Sequence, residues 1–237
     1  MDISTSLAAV AFAALIHASF QLSVSVLTLM SGHAIGAKRT QAKVMRLTTG
    51  FIFGVAVMTM LVLSFVALVL LHVFGADTPK IVWAAGCGLL VGVAVAIWAF
   101  YYPHKKGTIL WIPRAVADYL TKRTKATKDS AEAFGLGLSS VLAELLFLIA
   151  PIVISAMILI QLPPLWQLAG IGIYTVISLL SLIIVWVLIG SGHTLAGIQK
   201  WREENKRFLQ FAAGLGLVVL GFYVYVGEIM NVTAGGI

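Results

Sequence analysis

One carboxylate stands alone in an apolar run: between Phe134 and Ile160 the chain has no Asp or Glu except Glu144, with Leu142, Ala143, Leu145 and Leu146 around it. Taken as a membrane helix, this run carries Glu144 roughly ten residues inward, about 15 Å at 1.5 Å per residue and so close to the bilayer midplane. A charge at that depth is costly unless it is paired, protonated or wetted, and such an acid is by default a candidate for an ion or substrate path. The plainer alternative is a protonated carboxyl that hydrogen-bonds a neighbouring helix as structural glue.

His17 and Gln21 are four residues apart in the first apolar run, so they share a helix face. Counted from the opposite side, His17 reaches a depth like that of Glu144, and a His17, Gln21 and Glu144 cluster is the expected substrate or ion site. Ser19, Ser23, Ser25 and Thr28 add hydroxyls in the matching region, with Ser23 the candidate contributor. Pro151, seven residues beyond Glu144, is expected to kink or break its helix on about the same face and free carbonyls toward a polar cavity. One His and one Glu are too few for metal ligation, and no metal or cofactor is expected. Ser-Gly-His occurs twice, at 31–33 and 191–193, which makes His33 and His193 candidates for a cytoplasmic gate; a helix-ending glycine motif explains the same residues.

No Walker loop, dinucleotide fingerprint, serine-nucleophile elbow or His-Glu-x-x-His segment is present, so the expectation is not an enzyme. Cys87 is the single cysteine, which excludes an internal disulfide, a four-cysteine zinc site and a paired-thiol relay.

The elements that must position these groups are membrane helices. With 237 residues, 60% hydrophobic and 11% charged, the chain has too much apolar surface for one soluble core. Six stretches reach the roughly 20 residues a crossing requires: 6–31, 47–74, 81–102, 134–160, 165–190 and 208–229. Uninterrupted runs lack the alternation of a barrel strand, so the predicted fold is an all-α polytopic membrane protein. The chain opens Met1-Asp2-Ile3-Ser4 without a basic start, and the first span is expected to be retained rather than cleaved.

The net charge of +7 comes from loops beside these spans, which points to the anionic leaflet rather than to nucleic acid. Lys38, Arg39, Lys43 and Arg46 follow span one; Lys105, Lys106, Arg114, Lys122, Arg123, Lys125 and Lys128 follow span three; Lys200, Arg202, Lys206 and Arg207 follow span five. Lys80 is the lone exception, so the basic loops read as cytoplasmic and both termini as extracytoplasmic in an inner membrane.

Residues 103–133 are too polar to cross, yet Trp111, Ile112, Ala115, Val116, Tyr119 and Leu120 recur at helical spacing around Pro113, as in a short interfacial helix. This basic linker joins two halves, 1–102 and 134–237, that resemble each other. Trp83-Ala84-Ala85-Gly86-Cys87-Gly88-Leu89 parallels Phe211-Ala212-Ala213-Gly214-Leu215-Gly216-Leu217. Three spans per half thread the second half in the opposite sense, an inverted three-plus-three repeat. The small residues Ala84, Gly88, Gly92, Ala212 and Gly216 are expected to let helices approach closely.

With its basic central loop, Phe134-Gly135-Leu136-Gly137-Leu138, Ala213-Gly214-Leu215-Gly216 and Leu220-Gly221-Phe222-Tyr223, the chain resembles the lysine exporter and DsbD-type (LysE) superfamily of six-span transporters. It departs from the DsbD branch in having no cysteine in spans one and four, and from the amino-acid exporters in lacking Gly-Pro-Asn around Ser23 to Ser31. The functional expectation is a secondary transporter, an exporter of a small solute or ion, proton-coupled through Glu144. The alternative is a non-transporting subunit that scaffolds a membrane complex or handles lipid or glycolipid. Expected partners are the bilayer, the solute, and a second copy or a membrane-complex subunit.

Overall fold

In the computed structural model of the protein, residues 2–20, 22–36, 40–101, 114–191 and 195–230 are described. Every element among them is helical: α1 (Ile3–Ser19), α2 (Leu22–Gly36), α3 (Gln41–Phe74), α4 (Lys80–Ala96), α5 (Arg114–Ala126), α6 (Ser130–Leu159), α7 (Pro164–Ser178), α8 (Leu180–Gly190) and α9 (Leu195–Val224). Two π-helical turns follow α4 and α9, at Ile97–Tyr101 and Tyr225–Met230.

Four helices are long and apolar enough to cross a bilayer: α3, α4 with its π turn, α6 and the greater part of α9. The pairs α1–α2 and α7–α8, bent by 45° and 47°, would each complete a further crossing, giving four to six spans. The apolar runs predicted as the first and fifth spans are each interrupted by a bend, whereas α6 runs unbroken through Pro151. The break expected in span four at Pro151 is therefore absent. The physical reason is burial: 67% of the apolar window of α6 lies inside the bundle, against 22%, 39% and 33% for the other three. Packing around most of α6 keeps it helical where Pro151 removes one backbone hydrogen bond.

Local signals explain the ends. Asp129 caps α6, accepting from the Glu132 amide at 2.9 Å, and Pro164 starts α7 at a position where its absent N–H has no partner to lose. Gly75 closes α3 at φ +74°, with its amide on the Leu71 carbonyl, the left-handed stop for which glycine is best suited.

The most extensive interface joins α3 to α6. A methyl group on Gly54 would run into the Phe134 carbonyl, and one on Gly137 into that of Phe51; one on Gly50 would come within 2.9 Å of the Ser130 oxygen. Partners climb together along both helices, so α3 and α6 are parallel. The pair α1 and α7 is parallel too, with Leu7 beside Gly170, His17 beside Tyr174 and Ala18 beside Ser181. The first bent pair and α6 run antiparallel, through Phe20 with Phe147 and Ser23 with Ser140. So do α4 and α9, through Cys87 with Gly221 and Trp98 with Phe211.

In α4 the expected close approach fails at Gly88 and Gly92 and is made instead at Gly86, which was not among the expected positions. Gly86 abuts Ile154 and Met157 of α6, whereas a methyl group on Gly88 or Gly92 would meet nothing within 4 Å. These two glycines instead line open apolar grooves beside α4. The polar segment before α6 forms the helix α5, which buries Leu120 and Thr124, with Thr127 buried just beyond its end. Trp111 and Ile112 lie outside the described residues.

Candidate functional site at the broken spans

Both breaks are built from hydroxyls rather than from proline or glycine. At the end of α1, Ser19 Oγ donates to the Ile16 carbonyl at 2.6 Å, and the amide of the extended Phe20 donates to the His17 carbonyl at 3.0 Å. At the end of α7, Thr175 and Ser178 each bond back to a carbonyl three or four residues earlier, at 2.8 Å. Such back-bonding competes with the helix ladder and bends it. The breaks also touch each other, because Ser181 at the start of α8 donates its hydroxyl to the Ala18 carbonyl. The last-turn carbonyls of Ile16, His17 and Ala18 are thus all supplied with donors inside an apolar bundle.

Glu144 is the fifteenth of the thirty residues of α6 and is 2% exposed. Ser140, Glu144, Phe147 and Pro151 follow one another at spacings of four, three and four, so they share one face of the helix. This face meets the junction between α1 and α2. Ser23 Oγ lies 3.2 Å from Ser140 Oγ, and the Phe20 and Phe147 rings stack at 6.4 Å. Ser140 gives its own proton to the Gly137 carbonyl at 2.8 Å, so Ser23 is the donor of the pair. Glu144 sits between these two contacts, turned into the protein and away from lipid.

His17 is paired elsewhere. Its Nδ1 lies 3.0 Å from the Tyr174 hydroxyl, with the rings edge to face at 5.6 Å, and both side chains are buried. A tyrosine O–H with one partner is satisfied when it donates, which puts the imidazole proton on Nε2. No hydrogen bond joins His17 to Glu144 among the described residues. In the antiparallel register His17 lies one to two turns along the helix axis from Glu144, about 5 to 10 Å. The reason is that the last turn of α1 faces its parallel neighbour α7, and Phe20 and Ser23 take the positions opposite α6.

Of the predicted site residues, Glu144 and Pro151 therefore share one helix face with Ser23 packed against it, and His17 is buried beside Tyr174 instead. Gln21 and His193 lie outside the described residues, and so does the side chain of His33 in α2. Tyr174, Ser140 and Ser181 were not singled out from sequence. For Tyr174 and Ser181 the signal is the run Tyr174, Thr175, Ser178, Ser181 within an otherwise aliphatic stretch, hydroxyls at near-helical spacing. Among the described residues no group of three His, Cys, Asp or Glu side chains could hold a metal ion. Comparisons with protein-family models, with curated proteins and with solved structures find no match for the chain.

Proposed function

We propose that the chain is a secondary transporter of a small solute or ion, with Glu144 as its proton- or cation-binding group and the hydroxyls of Ser23 and Ser140 beside it. The observation that carries this reading is a carboxyl at the centre of the innermost helix, facing the point where span one is interrupted. Interrupted helices near the midplane are where membrane carriers bind substrate, since the freed backbone and the polar side chains there replace water. Export, the direction that the resemblance to the lysine exporter superfamily implies, is part of the proposal.

The arrangement in six spans with an inverted repeat is part of the same proposal. Exchanging spans one, two and three with four, five and six converts the parallel pair α3 and α6 into the parallel pair α7 and α1, and leaves the antiparallel pair α4 and α9 unchanged. A spacing of 128 residues separates Ala84 from Ala212 and also Ile97 from Tyr225, the first residues of the two π turns. Since π turns are rare, their recurrence at the spacing of the sequence repeat supports two related halves. The basic loops then face the cytoplasm and both termini the outside.

The test is transport by the reconstituted chain. Proteoliposomes are challenged with amino acids, polyamines and divalent cations under an imposed pH gradient, with an internal pH dye as readout. A solute that dissipates the gradient through the wild type should fail to do so through Glu144→Gln. Undiminished and equally pH-dependent flux in that variant would remove Glu144 from the mechanism; absence of flux for every solute would favour the scaffold alternative.

A further inference from the structure

A second polar feature lies away from the broken spans, in the angle between α5 and α6. A cavity of about 460 Å³ opens there, walled by Tyr119 and Arg123 on α5, by Thr127 just beyond its end, and by Glu132, Gly135 and Ser139 on α6. On each helix these residues recur at three- or four-residue spacing, so each set is one stripe of its helix. A methyl group on Gly135 would meet nothing within 4 Å, which marks this glycine as part of an open floor and not of a helix contact.

The two charges in the wall are not equivalent. Glu132 is committed to the start of α6: its carboxylate accepts from the Lys128 amide at 2.6 Å, and its own amide is capped by Asp129. The partial positive charge of that helix end offsets it. The Arg123 guanidinium has no ion pair or hydrogen bond among the described residues. It is the cavity's available charge.

Depth completes the argument. Glu132 precedes the apolar run of α6, and Ser139 lies seven residues further in, about 10 Å at 1.5 Å per residue. The cavity therefore runs from the level of lipid headgroups to that of the first acyl carbons, on the face bearing Lys122, Arg123, Lys125 and Lys128. We propose that the α5–α6 cavity binds one anionic phospholipid, its phosphate on Arg123 and its glycerol region along Gly135 and Ser139. Guanidinium suits phosphate because its donors are a planar fork. The proposal rests on placement of the chain in a bilayer and not on transport.

The experiment is native mass spectrometry of the full chain in mild detergent, titrated with phosphatidylglycerol, phosphatidylethanolamine or soluble glycerol phosphate. One phosphatidylglycerol should bind in preference to phosphatidylethanolamine. Arg123→Gln, at an exposed position, should weaken it about tenfold, and Arg123→Lys should recover part of the loss. Lys122→Gln, outside the cavity, should change it less than about threefold. Equal losses in Arg123→Gln and Lys122→Gln would overturn the site in favour of general surface charge. Displacement of the lipid by glycerol phosphate at equal concentration would overturn the lipid as occupant, and lack of preference between the two lipids would overturn both.

Discussion

The hydroxyl of Tyr174 and the imidazole of His17 form the one polar side-chain pair linking α1 to α7 among the described residues. Both are buried, so removing one partner leaves the other without water to replace it. Tyr174→Phe should lower stability by about 1–2 kcal/mol, read as a shift of the unfolding midpoint in detergent. His17→Leu removes the same bond from the other side, and the double variant should fall short of additivity by about 1 kcal/mol. Strict additivity would mean that the bond contributes nothing. Ser181→Ala leaves the Ala18 carbonyl unsupplied and should destabilise by a similar 1–2 kcal/mol, whereas Ser191→Ala, at an exposed position, should change little. The burial of Glu144 was legible in the sequence because it stands in an otherwise apolar run. Tyr174 was not, because its role depends on a neighbour 157 residues away.

Among the elements, glycine chemistry separates contact from open space. Gly54 and Gly137 are where the backbones of α3 and α6 meet, so Gly54→Ala or Gly137→Ala must push the helices apart. A loss of about 1–3 kcal/mol or more is expected from such overpacking, visible as a lower midpoint and poorer recovery of folded protein. Gly88→Ala and Gly92→Ala place the same methyl where nothing stands within 4 Å. They should be neutral or slightly stabilising, by up to about 1 kcal/mol of helix propensity. A reversed order would refute the packing. Although α9 begins at Leu195, well before the predicted span at 208, composition predicted an all-helical chain, because apolar length is a one-dimensional property. It could not distinguish the Gly50 and Gly54 contact from the exposed Gly88 and Gly92, since small residues serve close approach and groove lining alike. The breaks at Phe20 and Leu179 were hidden for a related reason. No proline or glycine marks them, and the serines and threonines that make them also occur in straight helices. Pro151, the conspicuous breaker, sits in the most enclosed helix and leaves it unbroken.

At the scale of the whole molecule, the two parallel pairs are alike in direction of approach and unlike in construction. One, α3 with α6, is continuous and pressed together at glycines; the other, α1 with α7, is interrupted in both members and joined at the breaks by Tyr174 and Ser181. Two related trios that differ in this way would let the interrupted pair move against a rigid one, with Glu144 on the rigid side of the boundary. This requires six crossings with the trios threaded in opposite senses, and threading is measurable independently of any substrate. In a Cys87→Ser background, single cysteines at Lys43, Lys125 and Lys206 should react with an impermeant maleimide from the side opposite to one at Asp77. The first three belong to the predicted basic loops, and Asp77 lies between α3 and α4. Labelling of Lys43 and Lys125 from opposite sides would mean an odd number of crossings between them, which α3 and α4 cannot supply if each spans once. The inverted repeat would then fail, and with it the equivalence of the α1–α7 and α3–α6 pairs.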